Sequence, residues 1–316
     1  MDKFANDLFA QLEAKGYLAR TISINHLPAL QREIERFHSQ GFFDNEFYQE
    51  YLSWFRFQPP ESLQRAQSII VVAAPRPQTQ AIFTINGRRR PLIIPPTYTA
   101  YDNLREHVED VLAGILSRRK YALAMSALPL KLLAIRSGLG QYGRNNICYV
   151  EGMGSFLQLV AVYSDMPCEE DHWQEAMMMK NCEGCKLCRR ACPSGAIPQD
   201  RFLLRVERCI TYHNEKKGDI PFPDWLNDSW HNCIIGCMHC QRTCPQNKEF
   251  IKWIGEKEEF SEEETAMLLK GVTRDKLPDE TLGKLERLDL AYYLDRLPRN
   301  LGVFLKSKKY RSKTRF

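Results

Sequence analysis

Apolar positions along this chain change rhythm several times, and each rhythm predicts an element. Residues 1–57 carry apolar residues at helical spacing in LFAQLEAKGYL and LPALQREIERF, with a break near Gly41, and Pro59-Pro60 closes the stretch. SIIVVAAP, residues 68–75, is a short β-branched run bounded by polar residues and proline, the signature of a buried strand. AIFTINGRRRPLIIPP predicts a hairpin about Asn86-Gly87, since type I′ geometry needs positive φ at both turn residues. Residues 101–118 predict an amphipathic helix, KYALAMSA a strand, PLKLLAIRSG a helix ended by Gly138, and SFLQLVAVYSD a further strand. The mixed order predicts an α+β fold: a helical region over 1–60, an α/β core over 61–175, a cysteine-rich domain over 176–255, and a helical segment with a basic tail over 256–316.

The cysteines carry the chemistry. NCEGCKLCRRACP holds Cys182, Cys185, Cys188 and Cys192 in the spacing C-x2-C-x2-C-x3-C-P, which aims three thiolates at one iron–sulfur cubane while the fourth serves a second cluster. GCMHCQRTCP supplies Cys237, Cys240 and Cys244, again closed by a proline, Pro245. Crossed ligation assigns Cys182, Cys185, Cys188 and Cys244 to one 4Fe-4S cluster, and Cys192, Cys237, Cys240 and either Cys209 or Cys233 to the other. Structural zinc also uses C-x2-C knuckles, but zinc ribbons seldom repeat a third cysteine two residues on and a C-P ending. A disulfide framework is disfavoured by compartment: MDKFANDLFAQLEAKGY has no apolar signal core, twin arginine or lipidation motif. No apolar run reaches the roughly eighteen residues of a membrane span. The expectation is a soluble protein of the reducing cytoplasm.

With 316 residues and 44% hydrophobic content the chain can build a core without metal. Its net charge of +5 is uneven, because KSKKYRSKTRF at the end is strongly basic and allows contact with a nucleic-acid backbone. No G-x-G-x-x-G follows a strand and no P-loop is present, which disfavours dinucleotide and nucleotide binding there. Two clusters behind a larger domain make a short wire to a further redox centre.

GLGQYGRNNICYVEGMGSFLQLVAVYSDMP, followed by CEGCKLCRRACPSGAI, ERCITYH, GCMHCQRTCPQN and LPRNLGVFL, resembles the epoxyqueuosine reductase and reductive dehalogenase superfamily of cobalamin-dependent iron–sulfur enzymes. The resemblance implies a nitroreductase-like cobalamin-binding domain followed by a ferredoxin-like double 4Fe-4S domain. It places Gly138, Gly140, Tyr142, Gly143, Arg144, Asn145, Gly154, Ser155 and the Ser164-Asp165-Met166-Pro167 ending at the cobalamin pocket. It also makes Cys209 the eighth cluster ligand and leaves Cys233 a spare thiol beside the cluster, with Cys148 and Cys168.

Two departures stand out. The family's acid-bearing D-[ST]-A-P segment is ALAMSALP here, with Ala124 or Ser126 in place of the carboxylate. Its G-x-x-G-K becomes Gly140-Gln141-Tyr142-Gly143-Arg144, closer to the dehalogenases, which use a tyrosine with a nearby cation. Tyr98 and Tyr101 are the candidate proton donors and Arg144 the candidate anion clamp or charge stabiliser. Arg88-Arg89-Arg90 reads as a solvated loop able to grip an anionic substrate. His213 and His239 are expected to hydrogen-bond to sulfur or cofactor. The function expected is a cobalamin-dependent reductase fed by an external low-potential donor, a ferredoxin or flavodoxin, and acting on a small molecule or nucleoside. The alternatives are a corrinoid-handling electron carrier and a tRNA epoxyqueuosine reductase.

Overall fold

The computed structural model describes residues 3–99 and 101–306; the basic tail beyond Lys306 lies outside them. In its N-terminal half the chain forms α1 (Lys3–Glu13), β1 (Leu18–Ser23), α2 (Leu27–Ser39), α3 (Asn45–Phe47), β2 (Ser68–Pro75), β3 (Gln78–Ile85), β4 (Arg88–Ile94), α4 (Tyr101–Leu116), β5 (Leu123–Met125), α5 (Leu130–Arg136), β6 (Gln141–Tyr142), β7 (Cys148–Tyr149) and β8 (Leu157–Ser164). The rest contains α6 (Leu187–Ala191), α7 (Ile210–Glu215), α8 (His239–Arg242), β9 (Ile254–Phe260), α9 (Glu262–Lys270), α10 (Asp279–Arg287) and α11 (Leu297–Lys306). No described helix is long and apolar enough to cross a membrane.

The chain divides into two compact units, each assembled from separated stretches. Unit 1 takes residues 1–76, 101–189 and 197–206; unit 2 takes 77–100, 190–196 and 207–316.

Unit 1 is built on an antiparallel sheet in the order β1-β2-β8-β5. Side chains alternate across a strand, so β2 feeds two cores at once. Ile69, Val71 and Ala73 meet α2 and α5 through Leu30, Ile34, Leu132 and Ile135 on one face. Ile70, Val72 and Ala74 meet α1 and α4 through Leu8, Leu12, Val108 and Leu112 on the other. A strand covered on both faces must be apolar at every position, which is why SIIVVAAP reads as an unbroken run. The strand expected over KYALAMSA shortens to three residues. α5 ends as expected, with Gly138 at φ 71° and its N–H on the Ile135 carbonyl.

Unit 2 holds the predicted hairpin: Asn86 and Gly87 both have positive φ, 51° and 67°. The hairpin does not belong to the α/β core of residues 61–175. Its strand β3 pairs in parallel with β9, giving the order β4-β3-β9, and Phe83 stacks on Phe260 with ring centroids 4.8 Å apart. The C-terminal segment therefore opens with a strand before its helices. Ser261 and Glu264 form a capping box on α9, and buried Glu264 also accepts from Thr281 and Lys284 of α10. Arg299 donates to the carbonyls of His213, Asn214, Lys216, Lys217 and Ile220, which ties α11 to the segment behind α7.

Candidate redox site

Within unit 1, the glycine-rich segment is a tight β6–β7 hairpin. Gly143 N–H donates to Ile147 O, Asn146 N–H donates back to Gly143 O, and Asn146 takes φ 59°. A Cβ at Gly140 would lie 2.7 Å from Cys148 Sγ, and one at Gly143 would lie 2.5 Å from the Tyr149 ring. A Cβ at Gly138 would press the Gln174 side chain at 3.3 Å. These three glycines are thus required by the chain's own packing. Asn145 donates to Tyr149 Oη at 2.9 Å, and Val150 N–H donates to Gly154 O, which sets the Gly154-Ser155 turn with Ser155 buried. Burial raises the Tyr142 phenol and pushes the Cys148 thiol up to about 12, so both are neutral near pH 7.

The hairpin also holds the first cysteine. Arg144 N–H donates to Cys182 Sγ at 3.4 Å, and its guanidinium donates to Cys182 O at 2.8 Å. Arg144 Nε is buried without a partner. The arginine expected as clamp or catalyst is therefore spent chiefly on the cysteine loop. An N–H aimed at a cluster sulfur raises the reduction potential of that cluster. Cys185 N–H donates to Cys182 O and Gly184 turns at φ 68°, and Cys188 lies on α6.

Unit 2 holds Cys192, Cys209, Cys237, Cys240 and Cys244. Cys209 caps α7, Cys240 sits on α8, and Cys244 precedes the turn Pro245–Asn247. Burial raises the Cys209 thiol, with Cys192 acting in the same direction. Cys237 is raised well above its usual value by burial, then by Cys233, Cys240 and Cys209. Cys192 thus acts on Cys209, and Cys209, Cys240 and Cys233 act on Cys237, with Cys233 itself pushed up to about 12 by burial. Such thiols stay protonated alone and lose their protons on binding a cation, so the set fits a thiolate-held iron cluster. None of the eleven cysteines is disulfide-bonded, and no three His, Cys, Asp or Glu side chains among the described residues close on a single ion.

The remaining expected residues are dispersed. Ser126 donates its hydroxyl to Ala161 O at 2.8 Å, a sheet contact that supplies no acid. Tyr101 begins α4 in unit 1, its phenol raised by burial and countered by Arg105. Tyr98, in unit 2, donates to Glu215 Oε1 and crosses Tyr293 edge-on. Its ring lies where a Cβ on Gly236, the residue before Cys237, would stand. Burial pushes Glu215 up to about 7 against the opposing pull of Tyr98 and Arg296, and burial raises Tyr98 well above its usual value. His213 and His239 donate Nε2–H to main-chain carbonyls, of Glu207 at 2.9 Å and Trp230 at 2.8 Å. Arg89 of β4 pairs with Glu259 of β9, so that guanidinium is held by its own unit. Sequence reasoning missed Glu215, six residues after Cys209 on the helix that cysteine caps.

Comparison with known proteins places these features. Residues 181–247 match the 4Fe-4S double cluster binding domain. Curated epoxyqueuosine reductases are similar in sequence: that of Staphylococcus aureus is 26% identical over 69% of this chain and 58% of its own length, and that of Bacillus subtilis is 29% identical over 61% and 50%. The chain thus spans little more than half the length of these relatives. Among solved structures, the epoxyqueuosine reductase of Streptococcus thermophilus superposes with a TM-score of 0.69 at 19% identity, over 98% of this chain and 83% of that one. An epoxyqueuosine reductase bound to an epoxyqueuosine-modified tRNA-Tyr stem loop gives 0.68 at 19% identity, over the same shares.

The protein is a mixed α and β iron–sulfur protein carrying a double 4Fe-4S domain. In sequence it is similar to the epoxyqueuosine reductases, and its fold is like theirs.

Proposed function

We infer that this chain is a cytoplasmic oxidoreductase that takes single electrons from a ferredoxin or flavodoxin and reduces epoxyqueuosine in tRNA. The observation that carries this reading is the sequence similarity to epoxyqueuosine reductases over 69% of the chain, joined to a fold likeness over 98% of it. Cys192, Cys209, Cys237 and Cys240 would hold one cluster, and Cys182, Cys185 and Cys188, with Cys244, the other. A nitroreductase-like unit 1 would hold cobalamin along residues 138–145 and 154–155. When bound, the clusters supply one-electron steps and the corrin a strongly reducing cobalt.

The chain's own residues do the rest. Arg144 fixes Cys182 through main chain and side chain. Tyr98 and Glu215 would serve as a partly buried hydrogen-bonded pair, with the Glu215 carboxyl pushed up to about 7, as a proton donor and its reservoir. A second reading is favoured by Ser126, whose hydroxyl is tied to Ala161 O where a carboxylate is expected: reduction of a small molecule with a different proton source.

The test is anaerobic incubation of cluster-loaded protein with cobalamin, reductant and an epoxyqueuosine-bearing tRNA stem loop, with nucleosides read by mass spectrometry. Conversion to queuosine supports the tRNA reading. Intact epoxide, with eight irons and one cobalt per chain, removes it and leaves the small-molecule reductase.

A further inference from the structure

Residues 240–253 of unit 2 form a compact run that starts at two cluster cysteines. α8 bears Cys240, a proposed ligand of one cluster, and Cys244, a proposed ligand of the other, follows; both are partly exposed. Successive turns carry the chain onward: Lys248 N–H donates to Pro245 O, Ile251 N–H to Asn247 O and Trp253 N–H to Phe250 O. Buried Asn247 donates Nδ2–H to Gln241 O at 3.0 Å, which holds the turns to α8. At the far end, Gln78 of β3 donates its N–H to Trp253 O and its Nε2–H to Ile251 O. The surface of this run is therefore fixed to ligands of both clusters.

Its charge is lopsided: Arg242, Lys248 and Lys252 are exposed with only Glu249 among them in the run. Other cations of unit 2 are matched by the chain itself, Arg89 by Glu259, Arg287 by Glu258, Lys284 by Glu264 and Arg274 by Glu286. Arg242, Lys248 and Lys252 make no ion pair among the described residues. The Arg242 charge reaches Cys233 in the cluster domain, pulling down a thiol that burial raises. Trp253, at the end of the run, keeps 38% of its surface exposed, and Pro245 is exposed too. An exposed aromatic with unneutralised cations suits a partner that presents an apolar spot inside an acidic rim, the ring supplying contact and the charges steering the encounter. Electron-transfer encounters bury under about 1,200 Å² in total, so one such anchor with a basic rim suffices.

We propose that Arg242, Lys248, Lys252 and Trp253 dock the acidic protein that delivers single electrons to the clusters. One electron leaves the reduced carrier, which is oxidised, and reduces one cluster. RNA also favours basic and aromatic surfaces, but an electron carrier accounts for a basic face built on cluster ligands. The proposal rests on the functional reading only for its outside electron donor. Its readout is cluster reduction and not turnover, which keeps its failure distinct from that of the tRNA reading.

The test is stopped-flow reduction of oxidised, cluster-loaded protein by a reduced acidic ferredoxin and, separately, by a reduced flavodoxin, with reduced methyl viologen as a donor too small to need docking. The bimolecular rate constant with a protein carrier should fall as salt rises. Lys248→Glu with Lys252→Glu should lower it at least about tenfold at low salt and flatten its salt dependence. Trp253→Ala should lower it about fivefold or more at high salt as well, where charges are screened. The substituted side chains are exposed, so both variants should keep about eight irons and at least the wild-type rate with methyl viologen. No reduction of the wild type by either carrier, carrier rates that neither salt nor the variants alter, or an equal loss with methyl viologen would overturn the proposal. So would a Lys248→Glu, Lys252→Glu chain that loses affinity for the tRNA stem loop while its carrier rates stand, which gives the face to RNA.

Discussion

Cys209 and Cys233 show what a single thiol decides. Cys233 is buried and Cys209 half-buried; both act on Cys237, and Cys192 acts on Cys209. Cys209→Ser is expected to remove one cluster, taking iron from about eight to about four per chain, while Cys233→Ser keeps about eight; iron and sulfide analysis with paramagnetic resonance checks it. The Tyr98–Glu215 pair gives a pH signature. Glu215 has its folded pKa raised to about 7 by burial, from 4.5, so the folded state holds a proton that the unfolded state has released between those values. Its contribution to stability is whole below about pH 4.5, falls as pH rises to about 7, and is flat beyond. Tyr98 donates to the carboxylate and lowers that pKa, so Tyr98→Phe should move the upper edge of the fall above pH 7, read as the thermal midpoint against pH. The double-cluster domain was legible because its cysteine spacing is a property of short loops. Glu215 was not, since burial and a partner 117 residues away create its character.

At the scale of elements, the legible ones were those whose burial is uniform or strictly periodic. β2 was placed over its full span because both of its faces are covered. Ile70→Ala should cost about 2–5 kcal/mol, measured by denaturant unfolding, since a fully buried side chain leaves a cavity that close-packed neighbours fill only in part. The Asn86-Gly87 turn was legible from its dihedral demand. β9 was hidden: IGEKEEF buries only Phe260 fully and is mostly charged, so no apolar alternation marks it. Its strand state comes from the β3 ladder, a tertiary cause.

For the whole molecule, the tRNA reading makes one electrostatic demand. Removing residues 307–316 deletes five Lys or Arg side chains, Lys308, Lys309, Arg311, Lys313 and Arg315. If these meet phosphates, the slope of log affinity for the tRNA stem loop against log salt should flatten by up to about 0.9 for each phosphate left unneutralised; an unchanged slope removes the tail from the interface. By itself the sequence determined the cluster chemistry, the strands buried on both faces and the hairpin turn, because each is written in neighbouring residues. The tertiary structure decided which stretches assemble into each unit, that Arg144 serves Cys182, and that Tyr98 meets Glu215. Those depend on contacts between residues far apart in the chain, whose geometry no local pattern carries.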